Sequence, residues 1–144
     1  IIYLIFIIMK NFLSKKAPEP VGFYPHAKKV GNLLFLSGVG PRVLGSKKIP
    51  GVNLNKSGEI VDYDILIQAK STFNNVRLVL EDCGSSWENI VDVTVFLTNM
   101  SNDFKLFNSV YKEYFHDCYP CRTTIEVLSL PTPIAIELKV IATI

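Results

Sequence analysis

The chain has 144 residues, 49% apolar and 19% charged, which fits one globular domain with a sizeable core and excludes a disordered or fibrous chain. Its net charge of +2 is too mild for a nucleic-acid electrostatic footprint, and the lysine pairs at 15–16, 28–29 and 47–48 are scattered. Three cysteines, an odd number, make no disulfide framework; as reduced thiols they point to the cytoplasm.

The chain opens on Ile1–Ile8, wholly apolar but too short for a membrane span, which needs about 20 such residues. No positive region precedes the run, so a secretory signal is not expected; Met9-Lys10-Asn11 reads as a natural start, with Ile1–Ile8 upstream of it. Residues 1–19 are therefore read as an extension and irregular lead-in, rich in lysine and proline, and 20–144 as the domain. Ala27–Val30, the turn signal Gly31-Asn32 and the apolar run Leu33–Ser37 predict a hairpin. Gly38–Gly58, with further glycines, prolines and lysines, predicts a long loop of the kind that is often functional.

Asp64 is a candidate cap for a first helix, in which Ile65, Leu66, Ala69, Phe73, Val76, Val79 and Leu80 recur at helical spacing until Gly84. Val91, Val93, Val95 and Leu97 alternate as one face of a strand. Ser101-Asn102-Asp103 supplies cap candidates for a second helix with the stripe Phe104, Phe107, Tyr111 and Tyr114. Thr123–Val127 and Ile134–Ile144 predict the last two strands. Strand, strand, helix, strand, helix, strand, strand is an α+β order, with the helices on one face of a sheet.

Cys118-Tyr119-Pro120-Cys121 is a C-x-x-C, but zinc wants four ligands and no second such pair exists. A redox pair opens a helix after a strand, and here it follows a helix and precedes a strand. Two incidental thiols are expected, and no metal. Arginine is confined to Arg42, Arg77 and Arg122. Arg122 opens a strand, where its planar fork can grip a carboxylate. Glu137 shares a strand face with Ala135, Lys139 and Ile141; either it meets solvent or it handles protons in a pocket, and the pattern does not decide.

Several blocks together resemble the RidA/YjgF family of enamine/imine deaminases. They are Gly22-Phe23-Tyr24, Val30-Gly31-Asn32 through Ser37-Gly38, Asp92 through Met100, Asn102-Asp103-Phe104 and Phe107-Asn108-Ser109-Val110-Tyr111. The most specific is Pro120-Cys121-Arg122-Thr123-Thr124-Ile125-Glu126-Val127, then Leu130-Pro131 and Ile136-Glu137, which is similar to P-x-R-S-x-V-E-V, L-P, I-E. The resemblance runs from about residue 20 to the end. It implies a chorismate-mutase-like α+β fold, two helices on one face of the sheet, and a homotrimer with active sites between subunits.

The implied activity is hydrolysis of reactive enamine and imine carboxylates to 2-keto acids and ammonia, without a cofactor. Arg122 would hold the substrate carboxylate and Glu137 would activate water, while Tyr24, Ser37 and Asn108 match positions lining the same cleft. Three departures stand out: Thr124 where many members have cysteine, Leu128 for a small or basic residue, and a longer Gly38–Gly58 loop. That loop with Pro41-Arg42, together with Tyr24-Pro25-His26 and Arg122-Thr123-Thr124, is more like the 2-aminomuconate deaminase branch, whose dicarboxylic substrate would use a second basic group such as Arg42. The rival readings are an endoribonuclease or translation inhibitor, which the mild charge and the lack of an aromatic-basic stripe disfavour, and a non-catalytic small-ligand-binding module.

Overall fold

The computed structural model describes residues 8–144, so Ile1–Ile7 of the apolar opening lie outside the described residues. The elements run β1 (Met9–Phe12), β2 (Ala27–Val30), β3 (Leu33–Leu36), β4 (Val52–Leu54), β5 (Ile60–Tyr63), α1 (Ile65–Asp82), a 3-10 turn (Trp87–Asn89), β6 (Ile90–Leu97), α2 (Met100–Phe115), β7 (Cys121–Glu126) and β8 (Ile136–Thr143). The fold is α+β. A six-stranded sheet has the order β1-β2-β3-β8-β6-β7, and β4 and β5 form a separate hairpin. All pairs in the large sheet are antiparallel except β6–β7, which α2 joins as a crossover.

The alternation of β6 sets the two faces of the sheet. Val93, Val95 and Leu97 are fully buried opposite Val140, Leu138 and Ile136 of β8, and both helices cover this face. Phe73 of α1 sits at the centre of an aromatic cluster, with ring centroids 5.0 Å from Tyr114, 5.3 Å from Phe115, 6.1 Å from Trp87 and 6.2 Å from Phe107. These contacts lock α2 against α1 and so fix which residues of α2 overhang β7. Asp64 caps α1 by accepting from the amides of Leu66 and Ile67 at 2.9 and 3.1 Å, and Gly84 follows the helix at φ 81°.

Three features differ from the sequence reading. Residues 10–19, expected to be an irregular lead-in, contribute β1 paired with β2, a Ser14 hydroxyl donating to Asp82 Oδ2 at 2.7 Å, and Ala17 at 2% exposure. The strand was hidden because Met-Lys-Asn-Phe at a sheet edge has no buried face to impose alternation. The Gly38–Gly58 stretch ends in the β4–β5 hairpin, turned by the Asn55 side chain, which accepts from the amides of Ser57 and Glu59. Helix α2 begins one residue before the proposed cap triplet: Asn99 caps it by accepting from the Asn102 amide at 3.2 Å, and Glu126 at the end of β7 accepts from the Met100 amide at 2.6 Å. A carboxylate suits that end of a helix, where the amides are unsatisfied and the dipole is positive. Among the described residues no helix is long and apolar enough to cross a membrane.

Candidate active site

Arg122 lies opposite Val93, the residue that also faces Val140 across the other edge of β6. Residues directly opposite share a face, so Arg122 points to the helix side. There its Nη1 donates to Asn108 Oδ1 at 2.9 Å, and its guanidinium carbon sits 4.6 Å from the centroid of Tyr111. Tyr111 in turn stacks on Phe115 at 4.0 Å with an interplanar angle of 12°. The ring stack is a shelf that holds the guanidinium plane by a cation–π contact. Asn108 occupies one donor of a five-donor fork, and a carboxylate needs two. The groove over Arg122 holds about 750 Å³ and is also lined by Asn108, Tyr111, Lys112, His116 and Tyr119. Tyr119 has φ 42°, a left-handed conformation uncommon for a non-glycine residue, with its amide donating to Phe115 O at 2.8 Å. This kink ends the helical run and sends the chain through Pro120 into β7.

The Tyr111 hydroxyl is buried and, among the described residues, has no hydrogen-bond partner, and burial pushes its pKa up to about 12, so it stays a phenol. Tyr111→Phe keeps the shelf and removes the orphan hydroxyl. Its unfolding free energy in urea is expected to be unchanged or higher by about 1 kcal/mol, because an unpartnered polar group is costly to bury. A loss of stability would mean that the hydroxyl is satisfied in solution.

Glu137 lies opposite Phe96 on β6, three residues from Val93 and therefore on the other face of the sheet. Its carboxyl nestles against Gly38: a Cβ built there would overlap Oε1 and lie 2.7 Å from Cδ. Burial raises the Glu137 pKa, and the positive charge of Arg42 partly opposes that rise. Tyr24, Ser37, Gly38 and Arg42 line one small crevice beside it. The Ser37 hydroxyl donates to Pro25 O at 2.6 Å, and the Tyr24 hydroxyl accepts from the Val21 amide at 3.3 Å. Arg42 Nη2 donates to Glu19 O at 2.7 Å, while Asn75 on α1 pins the loop by donating to Gly40 O and Arg42 O at 2.8 and 2.6 Å.

The six residues singled out from the sequence thus fall into two groups. Arg122 and Asn108 sit together on the helix side at the β7 edge. Glu137 and Arg42 share their field near Gly38, with Tyr24 and Ser37 in the adjoining crevice. Gly38 and Tyr111 join these groups unforeseen. Tyr111 was read as part of an apolar stripe and of a family block, with no role in the site, whereas its i+3 spacing from Asn108 was the available signal. Cys118 and Cys121 are free, the first half-buried and the second exposed, and among the described residues no cluster of His, Cys, Asp or Glu is placed to hold a metal.

Comparison with known proteins sets these groups in context. The family model described as Endoribonuclease L-PSP matches residues 14–144. A RutC family protein of Pyrococcus abyssi is 40% identical over 129 residues, covering 90% of this chain and 92% of that protein. The 2-iminobutanoate/2-iminopropanoate deaminase of Dermatophagoides farinae is 34% identical over 128 residues, covering 89% of this chain and 91% of that protein. The crystal structure of E. coli TdcF with bound serine superposes with a TM-score of 0.79 at 30% identity, covering 94% of this chain and 98% of that one.

Proposed function

The chain belongs to the endoribonuclease L-PSP family, the YjgF/RidA/RutC proteins, and on that premise we propose that it is a hydrolytic deaminase of enamine and imine carboxylates, assembled as a homotrimer with its active sites between copies. One observation carries the reading. The carboxylate anchor, Arg122 with Asn108, and the half-buried carboxylic acid, Glu137 beside Gly38, lie on opposite faces of one sheet. A single copy cannot bring both to one small substrate, but the anchor of one copy can meet the acid of the next. The face turned from the helices offers a neighbour apolar groups, with Phe35 paired to Ile141, Phe96 paired to Ile125, and Ile125 still 42% exposed, interspersed with polar ones such as Thr94 and Lys139. We place the assembled protein in the cytoplasm.

The chemistry asks little of the protein. An enamine protonated on carbon becomes an imine, whose carbon is already electrophilic. Arg122 grips the adjacent carboxylate, backbone groups beside it contact the nitrogen, and Glu137 takes a proton from the attacking water. The carbinolamine then expels ammonia and leaves a 2-keto acid, with one water consumed. The deaminase of Dermatophagoides farinae bears the name of this reaction, and TdcF was solved with a small carboxylate, serine. A dicarboxylic substrate such as 2-aminomuconate falls within the same proposal. Ribonuclease action has little electrostatic support at a net charge of +2.

Two measurements test the proposal together. Ammonia release from 2-iminobutanoate and 2-aminomuconate is expected, and light scattering should return three times the 16.2 kDa chain mass. A monomer at micromolar concentration would remove the basis for the site.

A further inference from the structure

We propose that Lys112 binds the distal carboxylate of a dicarboxylic enamine or imine whose proximal carboxylate sits on Arg122; this names the substrate class of the deaminase site and rests on that reading. Asn108 and Lys112 stand at i, i+4 on α2, His116 follows at the same spacing as its C-cap, and all three line the Arg122 groove. Each step advances about 6 Å along the helix axis. Arg122 is fixed beside Asn108, so Lys112 stands about one turn further along the same groove, a distance that a short carbon chain between two carboxylates spans.

The other basic side chain of the groove already has a partner: His116 Nε2 lies 2.8 Å from the Asp117 carboxylate. Lys112 is exposed and, among the described residues, has no carboxylate within 4.0 Å. Tyr111 and Tyr119 supply the walls of the groove, suited to the carbon chain between the two acids.

The test compares 2-iminoglutarate with 2-iminobutanoate, each generated in situ from its amino acid by an amino-acid oxidase, for wild type, Lys112→Gln and Lys112→Arg. Lys112→Gln is expected to lower kcat/KM for the dicarboxylate about tenfold, through KM, and to leave the monocarboxylate within about twofold. Lys112→Arg should keep most of the preference. Equal effects on both substrates, or none, overturn the assignment. If wild type releases ammonia from neither imine, the deaminase reading fails, and titration with 2-oxoglutarate against 2-oxobutanoate then decides the subsite. Loss of about tenfold in affinity for 2-oxoglutarate alone in Lys112→Gln supports it, and no selective loss overturns it.

Discussion

Arg122→Ala is expected to lower kcat/KM for an imine carboxylate by tenfold to more than a hundredfold, because a charge-assisted bidentate contact in a cleft is worth about 1.5–3 kcal/mol. Arg122→Lys should recover little of this: an ammonium cannot lie flat on the Tyr111 ring, bond to Asn108 and still offer two parallel donors. The same variant tests the arrangement between copies. Subunits carrying Arg122→Ala retain Glu137, and subunits carrying Glu137→Gln retain Arg122. If each site takes one group from each neighbour, co-expressed mixed trimers regain about one quarter of wild-type activity, the share of interfaces in a random cyclic trimer that join two intact halves. No recovery in mixed trimers would place both groups in the same copy's site and overturn the intersubunit reading.

Glu137→Gln should cut kcat by about a hundredfold to ten-thousandfold with little change in KM, since the amide keeps the shape and loses the base. Two consequences follow from the raised pKa of Glu137. The acid limb of the kcat/KM profile should lie above the usual carboxylate range, as the ionised form is the active one. Stability should move the opposite way to activity. A carboxyl whose folded pKa is raised contributes stability below its unfolded pKa, and that contribution is lost as pH rises through the folded pKa. At neutral pH the ionised side chain is therefore a burden that glutamine lacks, and Glu137→Gln should melt higher than wild type. The difference should vanish as the pH falls below the ordinary carboxylate range. A variant equally active, or one less stable at neutral pH with the gap persisting in acid, would contradict this assignment.

Much of the fold was legible because its elements bury one face. Val93, Val95 and Leu97 alternate since each meets the helices, and Asp64 and Gly84 mark the ends of α1 by chemistry local to those residues. Strands β1, β4 and β5 escaped notice because they are short and largely exposed, so burial imposes no period on them. The site was half legible. Residue types and blocks pointed to Arg122, Asn108, Glu137, Tyr24 and Ser37, yet nothing along the chain says that Arg122 and Glu137 face opposite ways. That depends on the register of β7 and β8 against β6, where Arg122 meets Val93 and Glu137 meets Phe96. One residue of slip in either pairing would reverse the outcome. The role of Gly38 was equally hidden, because the group that needs its missing side chain lies at the far end of the sequence.

Among the described residues strand β7 has a single neighbour, β6, while β8 is held between β3 and β6. Local opening free energies in a folded chain track such anchoring, and an edge strand entered through a kink can detach while the rest of the sheet persists. In an isolated copy, then, the guanidinium rides on a strand whose amides should exchange with solvent sooner than those of the strand that carries the acid. Whatever packs against the β7 edge would slow that exchange and firm the grip of the anchor at once, so substrate affinity and the protection of these six residues should rise together.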